Sequence, residues 1–181
     1  MDKSTIKLTI DGIETTVEPG TTIMKAAESI GIHIPRFCFH PGLSISGNCR
    51  ICVCEVEKMP KLVTSCSTAA TEGMVVHTNS ERVKKARKGI LELMLSEHPL
   101  DCPICDKAGE CSLQDYYMEI GLHKNRFKFD KCHKPKAVKI KPHLVLDAER
   151  CILCARCVRF VKEITKTNEI SIGWRGNHAE I

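Results

Sequence analysis

The stretch HPLDCPICDKAGEC carries three cysteines, Cys102, Cys105 and Cys111, with His98 four places ahead of the first. Thiolates and imidazole are the donors that zinc and iron-sulfur centres take. A histidine followed by C-x2-C-x5-C therefore offers four such donors within fourteen residues. On composition alone, a single histidine before a proline reads first as a helix-end residue rather than a ligand.

A second constellation is Cys38, Cys49, Cys52 and Cys66, spaced C-x10-C-x2-C-x13-C. Two ligands from one glycine-bearing loop, one at a strand start and one more distant, resemble the layout of plant-type [2Fe-2S] ferredoxins, although the first gap is longer than x4. Zinc also accepts four thiolates, but its usual ribbon has two C-x2-C knuckles and this site has one. Cys54, on the same strand, is expected to be a small core residue. A third constellation, Cys151, Cys154 and Cys157, has C-x2-C-x2-C spacing, and no cysteine follows it. Cys132, upstream in a basic segment, is the nearest substitute. The expectation is an empty or incomplete third site, with Cys132 not recruited.

The chain has 181 residues and 12 cysteines, with 43% hydrophobic but only 4% aromatic residues. So few aromatics point to several small cores, each supported by a prosthetic group. Six disulfides would need an oxidising compartment, and MDKSTIKLTIDG has no signal-peptide core. No apolar run approaches the roughly 18 residues of a membrane span. The formal net charge of +5 counts every thiol as neutral. Cluster-bound thiolates largely cancel it, so nucleic acid finds little support.

Ile6 to Ile10, the turn Asp11-Gly12 and Ile13 to Val17 predict a hairpin. Thr22 caps a short helix with Ile23, Ala26, Ala27 and Ile30 on one face, and Gly31 stops it. A sheet gripping one helix is the expected first domain. ICVCEVE and Gly73 to Thr78 read as strands. Ser80 caps a longer helix to Glu97 with Val83, Ala86, Ile90, Leu93 and Met94 on its inner face; Pro99 ends it and delivers His98 to the cysteine loop. From Lys124 to Lys141 eight basic residues read as a solvated connector, or as a surface for an acidic partner. HLVLDAERCILCARCVRFVKEI reads as strand, cysteine loop and helix, and Ile170 to Trp174 as a further strand.

HPLDCPICDKAGECSLQD, with CRICVCEVE before it and ERCILCARCVRF after it, closely resembles the family of the iron-sulfur G subunit of respiratory NADH:quinone oxidoreductase, complex I. Related subunits of NAD-linked hydrogenases and formate dehydrogenases share the layout. The resemblance implies an α+β architecture: a β-grasp [2Fe-2S] ferredoxin-like domain (1–79), a small helical [4Fe-4S] domain with one histidine and three cysteines as ligands (80–123), a basic connector (124–143) and a partial [4Fe-4S] ferredoxin-like domain (144–181). It implies that His98 stands in for a fourth thiolate beside Cys102, Cys105 and Cys111. In the family the third cluster takes its fourth ligand further along, so the chain looks like a fragment of a longer subunit.

No G-x-G-x-x-G follows a strand and no hydrolase motif is visible, so no NAD, flavin or substrate-converting site is expected here. The resemblance implies an oxidoreductase subunit that passes electrons from an NADH-oxidising flavoprotein, among other iron-sulfur subunits, toward a quinone-reducing module. It places the chain at the cytoplasmic face of the inner membrane, attached through the complex. A diaphorase subunit of a hydrogenase or formate dehydrogenase is the alternative within this chemistry. A structural zinc module is the alternative from another class.

Overall fold

A computed structural model describes residues 5–181. Strands β1 (Ile6–Ile10) and β2 (Ile13–Val17) pair antiparallel, Ile6 opposite Val17 and Ile10 opposite Ile13. Asp11 and Gly12, both at positive φ (48° and 85°), make the tight turn that matches the twist of the two strands. The Asp11 carboxylate accepts the Thr78 N–H at 2.7 Å and the Thr78 hydroxyl, fastening the turn to the segment that leaves β5 (Met74–His77).

With β3 (Val53–Val56) and β4 (Val63–Thr64), these strands form a five-stranded sheet in the order β2-β1-β5-β3-β4. Only β1 and β5 run parallel. Leu8 and Ile10 alternate onto the buried face, where helix α1 (Ile23–Ser29) lays down Ile23, Met24, Ala26 and Ala27. The Thr22 side chain caps α1 by accepting the Lys25 N–H. Two further α1 amides bind the turn that bears Cys66: Ile23 N–H donates to Thr68 O at 2.9 Å and Met24 N–H to Ser65 O at 3.0 Å. The helix thus positions a cysteine as well as filling the core.

Helix α2 (Glu81–Glu97) starts as expected, with Ser80 Oγ accepting the Val83 N–H at 3.3 Å. Its inner stripe differs from the apolar reading. Val83, Arg87 and Leu91 are buried, whereas Leu93 is 67% exposed. Arg87 donates to Val53 O at 2.9 Å, so a charged residue occupies the stripe and rotates it away from the purely apolar pattern.

Helix α3 (Ser112–Ile120) ends at Gly121, whose N–H donates to Tyr117 O at 2.9 Å. The basic segment is not wholly irregular: β6 (Val138–Lys141) pairs antiparallel with β7 (Leu144–Leu146). Helix α4 (Arg156–Glu163) follows the last cysteine loop. Ile170 to Trp174 does not form the expected strand. Only an isolated bridge joins Gly173 to Glu180, and Trp174 sits at φ 57° and is 80% exposed. A strand needs a neighbour for its backbone groups, and none of the named strands lies beside it.

The described residues separate into two compact units, one running up to Phe39 and including Ile45–Ile90, the other of His40–Ser44 and Leu91–Ile181. Ile23 is fully buried beneath the first unit's sheet. Ile23→Ala is expected to cost about 2–4 kcal/mol, read as a lower urea midpoint with an unchanged slope. A loss below about 0.5 kcal/mol would contradict this packing.

Candidate metal centres

In the first unit, Cys38, Cys52 and Cys66 are buried and Cys49 is half-buried. Among the described residues no three donors converge as a single-ion site. The thiols stand instead as two adjacent pairs. Cys49 donates its proton to Cys38, and this bond is the main cause holding Cys38 below the usual thiol range; main-chain N–H groups of Cys49, Asn48 and Gly47 add to it. Cys49 keeps the shared proton and is pushed up, first by that bond and then by burial. Cys52 and Cys66 repeat the pattern: the Cys66 thiol lowers Cys52, with help from Ser65, and Cys66 is raised in turn. Charge on Cys38 is felt at Cys52 and Cys66, so the pairs face one space.

Local sequence explains this crowding. Gly47 and Arg50 adopt positive φ (64° and 59°), which folds the loop back on its own sulfurs; Cys38 N–H, for one, points at Cys49 Sγ at 3.5 Å. Ser65 N–H and Oγ bind Cys52 O at 3.1 and 2.8 Å, joining the last two cysteines. Two thiol pairs ringed by N–H donors could hold two irons, each taking one pair. Cys54 lies apart from this set. Burial, more than any neighbour, pushes its thiol up to about 12, as for a core residue.

In the second unit, His98, Cys102, Cys105 and Cys111 all line one cavity of about 350 Å³. α2 ends at Glu97 and so presents His98 at its terminus. A single 3-10 turn over Cys102–Ile104 carries Cys102 and leaves Cys105 just beyond it. Cys111 is the N-cap of α3. Burial lowers the pKa of His98, and nearby Lys131 lowers it further; both favour the neutral ring, the form that binds a metal. Leu91, Leu95, Leu113, Leu122 and Phe127 supply apolar wall. Four soft and borderline donors around a cavity of this size fit a cubane centre, with one donor for each iron.

The basic connector holds this site rather than facing only water. Asp101, beside Cys102, accepts from Lys136 and from Arg150 Nε at 3.0 Å. Glu149 binds Lys136 Nζ at 2.8 Å, Lys134 N–H at 3.0 Å and His133 Nδ1 at 3.1 Å. Cys132 N–H donates to the Glu97 carboxylate at 2.6 Å. No local motif announces this network, because its partners lie 13 to 49 residues apart; the blocks of Lys and Arg opposite single carboxylates are the only trace.

At the third constellation, Leu153 and Ala155 take positive φ (53° and 58°), and Leu153 N–H donates to Cys151 Sγ at 3.4 Å. Burial raises Cys151, and the charges of Cys154 and Cys157 add to this. The three are therefore within electrostatic reach of one another. Cys132 shares a cavity of about 180 Å³ with Cys151, but Cys154 and Cys157 do not line it. The structure thus brings Cys132 toward one member of the trio and not to the whole.

Comparison with known proteins divides the chain in the same order. Residues 3–81 match the 2Fe-2S iron-sulfur cluster binding domain, 87–126 the NADH-ubiquinone oxidoreductase-G iron-sulfur binding region, and 141–181 the ferredoxin-like domain of NADH-quinone oxidoreductase subunit 3. The mitochondrial NADH-ubiquinone oxidoreductase 78 kDa subunit of Candida albicans is 45% identical over 97% of this chain and 25% of its own length. The G subunit of NADH-quinone oxidoreductase from Rickettsia bellii is 46% identical over 97% of this chain and 26% of its own. The chain thus spans about a quarter of the length of these relatives. A chain of an NAD+-reducing [NiFe]-hydrogenase, in a crystal structure of the H2-reduced state, superposes with a TM-score of 0.87 and 32% identity, over 98% of this chain and 74% of that one.

The connector network carries a pH dependence. Lys136 first, then the Lys134 N–H and His133, hold the Glu149 carboxyl down at about 2. Its folded value lies below its unfolded one, so its stabilisation is present above about pH 4.5 and fades as pH falls toward 2. Urea midpoints across pH 2–6 should fall on the acid side in the wild-type chain, and Glu149→Gln should flatten that fall. An equally steep fall in the variant would contradict the assignment.

Proposed function

The chain belongs to the family of iron-sulfur chains that contains the G subunit of NADH-quinone oxidoreductase, and from that premise we propose that it conducts electrons inside an NADH-oxidising complex. Its domains are of the [2Fe-2S] and [4Fe-4S] binding kinds. The observation that carries the reading is the single cavity walled by His98, Cys102, Cys105 and Cys111.

In this reading the first domain is a β-grasp fold whose Cys38, Cys49, Cys52 and Cys66 hold a [2Fe-2S] centre. Its five-stranded sheet packed on α1 supports the assignment. The small helical segment after α2 holds a [4Fe-4S] centre through His98, Cys102, Cys105 and Cys111. Cys151, Cys154 and Cys157 make an incomplete third site, and Cys132 stays outside it. Such centres supply one-electron storage at fixed geometry. The protein's part is to keep thiolates ionised, hold the imidazole neutral and exclude water with apolar walls.

Electrons would enter from an NADH-oxidising flavoprotein and leave toward a quinone-reducing module, with other iron-sulfur subunits in the path. No helix among the described residues is long and apolar enough to cross a membrane; in this reading the chain is attached through partners at the cytoplasmic face. The likeness to an NAD+-reducing hydrogenase chain supports a second reading, a diaphorase subunit of such an enzyme. The relatives from NADH-quinone and NADH-ubiquinone oxidoreductases share more identity with this chain and favour the first.

Anaerobic reconstitution with iron and sulfide tests the centres. The wild-type chain should be brown and hold about six irons, two in one centre and four in the other. Cys102→Ser should lose about four of them, Cys66→Ser about two, and Cys54→Ala and Cys132→Ser none. A colourless chain with stoichiometric zinc would support a structural zinc module instead. His98→Cys should add a negative charge and lower the potential of the cubane signal; a signal indifferent to that change would remove His98 from the ligand set.

A further inference from the structure

Six charged side chains line the cavity that gathers His98, Cys102, Cys105 and Cys111: Glu92, Asp101, Lys107, Lys124, Lys131 and Arg150. Their partners separate them. Glu92 pairs with Arg126, Asp101 with Lys136 and Arg150, and Lys107 with Glu110. Lys131 pairs with no carboxylate among the described residues. Its Nζ donates to main-chain oxygens, Leu95 O at 2.6 Å and Ser96 O at 3.0 Å, at the C-terminal end of α2. Half-buried and held at two points, it is a fixed cation whose full charge is only partly offset by the carbonyl dipoles. Lys124 also has no carboxylate partner among the described residues, but it is exposed and free to swing into water.

The cavity presents three thiols to this cation. A centre bound by three thiolates and a neutral imidazole carries about one net negative charge when oxidised and about two when reduced. A nearby positive charge stabilises the second state more than the first, and does so most where water is excluded. After burial, Lys131 is the largest influence keeping His98 neutral, so its charge is felt at the donor set.

We propose that Lys131 sets the reduction potential of the cluster held by His98, Cys102, Cys105 and Cys111, raising it by stabilising the added electron. The proposal rests on the reading of that site given above. The step is a one-electron reduction by an external reductant, with no bond made or broken. Arg150, the other strong cation of the wall, is compensated by Asp101 and by Asp147 at 3.3 Å and contributes less. The competing account makes Lys131 a helix cap alone.

A redox titration of the anaerobically reconstituted chain, with each cluster followed by its paramagnetic signal, separates the two. Lys131→Gln should disfavour the reduced state by on the order of tenfold, a downward shift of about 59 mV for one electron. Lys131→Met should do the same, Lys131→Arg should restore the wild-type potential, and the [2Fe-2S] signal should not move. Lys124→Gln should give a smaller shift in the same direction. Unmoved potentials in both neutral variants, a shift that arginine fails to rescue, or loss of fold in both neutral variants would overturn the proposal in favour of a cap. Absence of a [4Fe-4S] signal from the wild-type chain would sink the site reading together with the proposal; a normal wild-type signal with unmoved variants would sink the proposal alone.

Discussion

Ionised sulfurs gathered within a few ångströms repel one another, and the fold is arranged around that repulsion. In the first unit the four thiols form two proton-sharing pairs, so only one member of each is driven toward the thiolate. Main-chain N–H groups from the Gly47–Cys49 turn supply the remaining compensation. A centre held there would take all four sulfurs as thiolates, which would couple loading to folding.

The second unit meets the same constraint differently. Burial keeps the His98 ring neutral, Cys111 sits on the N-terminus of α3, and cations stand in the cavity wall. The Asp101, Lys136, Glu149 and Arg150 network then clamps the connector against the loop that bears Cys102. Of the connector's basic side chains, Arg126 and Lys136 pair with carboxylates inside the protein, whereas Lys128, Lys139 and Lys141 stay exposed.

Local chemistry in the sequence is enough to read the first hairpin, the Thr22 cap, the Ser80 cap and the delivery of His98 by a helix that stops before Pro99. Each depends on residues within a few positions of one another. The stripe of α2 departs from its apolar pattern because Arg87 is buried through a bond to Val53, a contact 34 residues away that no local periodicity encodes. β6 is hidden because its alternating lysines look like a solvated run, and only pairing with β7 makes it a strand. Ile170 to Trp174 fails in the opposite sense, since β-forming residues without a neighbouring strand remain irregular. The donor residues themselves are legible from type and spacing. Their cavity, and Lys131 within it, need the fold.

The central claim is that these sulfurs and one imidazole cage clusters of iron and sulfide rather than single ions. Mössbauer spectroscopy of the chain reconstituted anaerobically with isotope-enriched iron tests it most directly. The account predicts an oxidised spectrum of antiferromagnetically coupled two-iron and four-iron centres, with acid-labile sulfide in about equal number to iron. A spectrum of isolated high-spin iron, without labile sulfide, would contradict it.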